Sequence, residues 1–375
     1  MTILIHIGPP KTGTSAIQKS LKLAENKNYL ASKNIKYLNN KISNNDILFF
    51  IAQINSEPAR EYKQSYSLKL NEYKKNSALY LENLIKQNQK KFSLYISSSE
   101  YLFRINKDEI IKLKNNLVKL DKDIRVISFI RDPLKQYISQ FSENIKNSTK
   151  LTLPIQTNQY QQLLIWSEIF NDKFYVYNFE EYTKSGNILF KFTDIINDIQ
   201  KENNEKKIEL KTKILENESI SAELAYAVLK FRKINNLLDS NYYDYLNKAR
   251  KKISNITRDS KLSKLNLTIE SEHEFIKNNR KLYNLLEKKY NFEFKYDIDK
   301  SYDLNKKTNH YFNNFDLIIG KYDKRIANLI YNFLEHEAKG YRNPKKMIKK
   351  YLLIFIRNFL KRIYHSLIKF SFFKR

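Results

Sequence analysis

The stretch Ile3-Leu4-Ile5-His6-Ile7-Gly8-Pro9-Pro10-Lys11-Thr12-Gly13-Thr14-Ser15 decides the fold. Ile3–Ile7 is a β-branched apolar run of strand length, and Gly8-Pro9-Pro10 ends it, since proline has no amide to give a sheet ladder. Ser15–Leu23 then carries apolar residues at helical spacing. A strand that runs through a glycine-containing loop straight into a helix points backbone amides, and the positive end of the helix dipole, at whatever lies above the loop. That is a cradle for an anion, normally a phosphate. Thr12, Thr14 and Ser15 add hydroxyl donors, and Lys11 adds a mobile positive charge.

Beyond this stretch, Phe92–Ile96 and Phe174–Tyr177 read as short strands. Ile124–Ile130, closed by Arg131-Asp132-Pro133, reads as the strongest one. Lys107–Leu120 and Leu134–Ile145 have helical spacing, and most of Asn44–Lys91 reads as helix inserted between the first two strands. Strands alternating with helices of this length imply βαβ units, hence an α/β fold with a parallel sheet flanked by helices. From about Asn187 the β signal stops, and Ser219–Ile234, Ser271–Lys288 and Leu317–Lys339 read as amphipathic helices. The expected organisation is an α/β core over residues 1–200, a helical extension over 201–340 and a basic amphipathic tail over 341–375.

Composition narrows the function. With 42% hydrophobic and 14% aromatic residues the chain has ample material for a core, which excludes a wholly disordered polymer. The absence of Cys excludes disulfides, a cysteine nucleophile and thiolate metal sites, and the five His lack zinc-enzyme spacing. A net charge of +28 invites a nucleic-acid partner. Its distribution argues against one. Only 13 of the 68 basic residues are Arg, and residues 341–375 hold 11 basic residues and no acid, leaving +17 on the other 340. Met1 leads straight into the first strand, with no apolar core of a signal peptide. No run of 18 uncharged apolar residues exists, so the expected compartment is the cytoplasm.

A Walker A loop reads GxxxxGK[ST]. Gly8 and Gly13 keep that glycine spacing, but Thr14 stands where the Walker lysine belongs and the lysine has moved to position 11. The loop therefore suits an anion cradle for a reaction that calls for no metal. Arg131 sits at the carboxyl end of a buried strand, where open α/β sheets bind ligands. Ser139 follows eight residues on, about two turns into the next helix if Asp132 caps it. Together they suit one further phosphate, with Arg131 as the fork-shaped donor.

The two stretches together resemble the sulfotransferases that use 3′-phosphoadenosine-5′-phosphosulfate (PAPS): a strand-P-K-T-G-T-[ST] loop, then a strand-R-D-P with a Ser eight residues after the Arg. His6 to Gln18 is especially similar to bacterial members thought to act on carbohydrates. Weaker likeness runs through Ser97-Ser98-Ser99-Glu100, Leu164–Tyr182 and Asn217–Ser221, so the resemblance spans roughly residues 1–235. It implies a P-loop-like fold and carbohydrate sulfation: sulfuryl transfer from PAPS, the co-substrate, to a hydroxyl or amine of a glycan or glycolipid acceptor. Residues 201–340 would then complete the core or the acceptor site. Lys11, Thr12, Gly13, Thr14 and Ser15 inherit the 5′-phosphosulfate, and Arg131 and Ser139 the 3′-phosphate.

The acceptor must lose a proton, which calls for a general base. Glu100 is the candidate, because Phe92–Ile96 would deliver it to the sheet edge that carries Lys11 and Arg131; the competing reading is an ion pair with Arg104 at i+4. His6 is the second candidate base, although it lies inside its strand and reads more as core, as does Trp166 in its apolar helical stripe. In the tail, Leu352, Ile356, Phe359, Leu360, Ile363, Leu367 and Phe370 recur at helical spacing, with Arg357, Lys361, Arg362, His365 and Lys369 largely opposite. A basic amphipathic helix over 351–373 implies peripheral binding to an anionic membrane surface, on the inner face of the cytoplasmic membrane. The competing functions are a P-loop small-molecule kinase using ATP and Mg²⁺, and a non-catalytic basic protein that binds nucleic acid or membrane. The displaced Lys11 argues against the first, and two phosphate motifs against the second.

Overall fold

The structure, a computed structural model, describes residues 1–38, 47–52, 70–88, 90–121, 123–147, 157–184, 188–211, 220–235, 253, 262–296 and 319–341. In chain order its elements are β1 (Thr2–Ile7), α1 (Thr14–Asn26), β2 (Ile35–Tyr37), α2 (Ile47–Ala52), α3 (Leu70–Asn88), β3 (Leu94–Ser99), α4 (Lys107–Val118), β4 (Ile124–Ile130), α5 (Pro133–Asn147), α6 (Gln159–Phe170), β5 (Phe174–Asn178), α7 (Phe179–Lys184), α8 (Ile188–Glu202), α9 (Ala222–Asn235), α10 (Ile269–Asn278), α11 (Arg280–Tyr290) and α12 (Lys324–Tyr341). Two compact units result. Among the described residues, one comprises those within 1–141, 153–218 and 272–305, and the other those within 142–152, 219–271 and 306–341. α11 packs its Leu282 and Leu286 into the core of the first unit.

That unit is an α/β layer structure. Five parallel strands run in the order β2-β3-β1-β4-β5. Alternation along β1 divides the core. Ile3, Ile5 and Ile7 face one layer, made chiefly by α2, α3, α4, α6 and α11. Leu4 faces the other, made by α1 and α8 through residues such as Ile17, Leu21, Phe192 and Ile196. Every residue of β1 is buried, as expected of a central strand covered on both faces. Each fully buried Ile or Leu of these layers contributes roughly 1.5–3 kcal/mol. Trp166 is 0% exposed and stacks on Phe170 at 5.5 Å, so it is a core residue.

The topology fixes where a ligand belongs. β1 leads through α1 to β2 on one side of the sheet, whereas its neighbour β4 leads through α5 and α6 to β5 on the other. Adjacent strands whose connections part in this way leave a crevice at their carboxyl ends. The loops Gly8–Gly13 and Arg131–Asp132 stand there.

Local differences from the expected elements have physical causes. β2 was not legible, being three residues long. β3 runs to Ser99 rather than Ile96, because Ser97, Ser98 and Ser99 continue the ladder opposite Ile5, His6 and Ile7. The helix expected over Ser271–Lys288 is two helices, α10 and α11, broken at Asn279. That side chain is 3% exposed; its Nδ2 donates to Phe275 O at 2.8 Å and its Oδ1 accepts from Thr157 N at 3.0 Å. Beyond Tyr341, the tail expected over 341–375 lies outside the described residues, as does most of Asn217–Ser221. Among the described residues no helix is long and apolar enough to cross a membrane.

Candidate functional site

The β1–α1 loop is braced from within. Thr12, 0% exposed, donates its hydroxyl to Pro9 O at 2.7 Å, so it can offer a ligand only its backbone amide. Gly8 is needed beneath that bond, since a Cβ there would stand 2.9 Å from Thr12 Oγ1. Lys11 (φ 69°) and Gly13 (φ 81°) both adopt the left-handed region. For a lysine that conformation costs roughly 1 kcal/mol, the kind of strain that functional loops retain. A Cβ on Gly13 would also meet Ile188 Cγ2 at 3.0 Å and Phe179 Cε2 at 3.3 Å. From the β4 side, Gln136 of α5 donates to Pro10 O at 2.8 Å and is itself held by the Gln159 amide.

At the start of α1 no side chain caps the helix and no acid lies in its first turn. Gly13 O accepts from Ala16 N (2.9 Å) and Ile17 N (3.2 Å), while the amides of Gly13, Thr14 and Ser15 find no acceptor among the described residues. Thr14 Oγ1 is buried without a partner and lies 3.7 Å from where a Cβ on Gly8 would be, so it faces into the loop. Ser15 is exposed on the same turn. Unsatisfied amides plus an orphaned buried hydroxyl form a site short of an acceptor.

Across the crevice, Arg131 Nε donates to Glu180 Oε1 at 3.0 Å, and Asp132 N donates to Glu180 Oε2 at 2.8 Å. The Arg131 guanidinium lies 5.4 Å from the Phe179 ring centre. Asp132 caps α5, as expected: its Oδ1 accepts from Leu134 N (3.0 Å) and Lys135 N (3.3 Å), and Pro133 fits the first helical position. Tyr296 OH donates to the same oxygen at 2.6 Å, and Tyr283 OH accepts from Leu134 N at 3.0 Å. Burial, and next the neighbouring Tyr283 for Tyr296 and the Asp132 charge for Tyr283, push both phenols well above the ordinary tyrosine range; they stay protonated donors. Burial, with the Asp132 charge second, also raises the Glu272 carboxyl. Ser139 is half-buried on the second turn of α5, and no hydrogen bond joins it to Arg131 among the described residues.

Glu100 follows β3 directly and opens the turn Tyr101–Arg104. Ser99 lies opposite Ile7, so Glu100 emerges at the level of Gly8. It also makes the i+4 ion pair of the competing reading, with Arg104 Nη2 at 3.7 Å. With the pair 33% and 57% exposed, that contact contributes little. His6 is 0% exposed, its Nδ1 2.8 Å from Ser98 Oγ, and burial pulls its pKa down to about 3. It is a neutral core residue.

Lys11, Glu100 and Arg131 thus share the carboxyl edge of the sheet, in the segments that follow three adjacent strands. Glu180, Phe179, Gln136 and the tyrosine pair were missed by sequence reasoning. Only Phe179-Glu180 carried a signal, an aromatic and an acid directly after a short strand. Compared with known proteins, the chain matches no family model and no curated sequence significantly.

Proposed function

We propose that the chain is a sulfotransferase that moves a sulfuryl group from PAPS to a hydroxyl or amine of a glycan or glycolipid acceptor. The observation that carries the reading is the cluster of donors short of an acceptor at the start of α1: the amides of Gly13, Thr14 and Ser15 beside the orphaned Thr14 hydroxyl, at the β1–β4 switch point. The residues present suit a bisphosphorylated donor, because Arg131 stands on the other side of that crevice. PAPS, when bound, supplies an activated sulfuryl group and a phosphate leaving group. Lys11 would neutralise charge growing on that phosphate, and the α1 amides would hold its oxygens without reorganising. Arg131, with Ser139 further along α5, would hold the 3′-phosphate. Glu100 would accept the acceptor's proton, the Arg104 pair being solvent-exposed enough to break.

The tail supports a peripheral location on the inner face of the cytoplasmic membrane, near a lipid-carried acceptor, because its basic and apolar residues segregate in the sequence. Calorimetric titration of the full chain tests the nucleotide reading. In EDTA, adenosine 3′,5′-bisphosphate should bind about tenfold or more tightly than AMP, since losing the 3′-phosphate forfeits a charge-assisted pair. Lys11→Ala should abolish most sulfuryl transfer. Preference for ATP with Mg²⁺ would instead favour the kinase reading.

A further inference from the structure

Glu180 occupies the only position in the described site where one carboxylate holds both a candidate ligand-binding side chain and the backbone beside it. β5 passes into α7 without a linker, and Asn178 Oδ1 fixes the junction by accepting from Glu180 N at 3.0 Å. The carboxylate, 15% exposed, then divides its oxygens between Arg131 Nε and Asp132 N. Because one partner is side chain and the other main chain, the guanidinium plane is fixed relative to the end of β4. The Phe179 ring lies against the guanidinium, and the same ring reaches the Gly13 position of the other loop.

This arrangement spends Nε and leaves both Nη groups, which have no partner among the described residues. Two coplanar donors at fixed spacing match two phosphate oxygens. A mobile arginine would offer the same charge without that registry, and the Glu180 charge already offsets much of the attraction for anions in general. The geometry points to Glu180 as a positioning residue that makes Arg131 selective for a nucleotide phosphorylated at both the 5′ and 3′ positions. The inference rests on the reading of Arg131 as a phosphate ligand.

The test is titration of the full-length wild type, Glu180→Ala and Glu180→Gln with adenosine 3′,5′-bisphosphate and with AMP. Glu180→Ala should weaken the bisphosphate about tenfold while leaving AMP within about twofold, as expected for loss of one charge-assisted contact. Glu180→Gln should recover only part of the loss, because its amide oxygen can still accept from Arg131 Nε while its NH2 group cannot accept from Asp132 N. AMP binding reports that each variant is folded. An equal loss for both nucleotides would reduce Glu180 to a structural role, and unchanged or tighter bisphosphate binding would mean that it merely competes for Arg131; either result overturns the inference. A wild type that does not prefer the bisphosphate removes the reading of Arg131 itself, and the wild-type titrations alone reveal that.

Discussion

His6 is two residues from the loop it supports, yet its chemistry belongs to the core. Phe129 and Phe192 lie 5.6 and 5.7 Å from its ring, Nε2 has no partner, and its pKa falls from 6.5 to about 3 through burial. The unfolded chain therefore takes up a proton below pH 6.5 that the folded chain refuses until about pH 3. Stability is complete above that upper value and is lost as pH falls through the window, at up to about 1.4 kcal/mol per pH unit. Between pH 6.5 and 5, above the range where carboxylates titrate, the melting temperature of the wild type should decline. In His6→Asn it should start lower but decline less. Parallel slopes in the two proteins would show that His6 is not the group responsible. Lys11 and Gly13 make a contrasting case: the sequence placed them in one loop, whereas their left-handed backbone is visible only in the structure.

At the scale of elements, the end of β4 is held from two directions: Glu180 from α7, and the tyrosines Tyr283 and Tyr296 from the segment around α11. Asp132 is 7% exposed, so each donor its side chain loses is expensive. Tyr296→Phe should destabilise the first unit by about 1–3 kcal/mol, the cost of a buried acceptor left short of a partner. Combined with Asp132→Asn, it should cost clearly less than the two separate losses added together, because both act on one bond. Denaturant midpoints of the two single variants and the double variant measure this; strict additivity would show that the bond is not the source. The same contacts mark the limit of sequence reading. β1, β4 and their loops were legible because a β-branched run stopped by Gly or Pro is a local signal. Glu180 lies 49 residues from Arg131 and Tyr296 lies 164 from Asp132, so no periodicity could join them. The break at Asn279 was hidden for a related reason: apolar spacing continues across it, and the side-chain bond to Thr157 that stabilises it is 122 residues distant in sequence.

For the whole molecule, the uneven charge gives the last prediction. Residues 341–375 carry 11 of the +28 net charges and no acid. A helix over 351–373 would be about 35 Å long, with one apolar face. Partial immersion of seven large apolar side chains would contribute several kcal/mol, at roughly 25 cal/mol per Å² removed from water. Each nearby Lys or Arg adds about 1 kcal/mol on an anionic leaflet. The full chain should therefore sediment with phosphatidylglycerol-rich vesicles and much less with phosphatidylcholine ones, and added salt should release it. Replacing Ile356, Phe359 and Ile363 by Asp puts charge on the apolar face without shortening the chain. That variant should lose vesicle binding yet keep its affinity for adenosine 3′,5′-bisphosphate, because Lys11 and Arg131 belong to the first unit. Were the variant to bind vesicles as the wild type does, the charge would be acting from elsewhere on the surface. Were it to lose nucleotide binding as well, the tail would be part of the folded core and the lipid-facing role would fall.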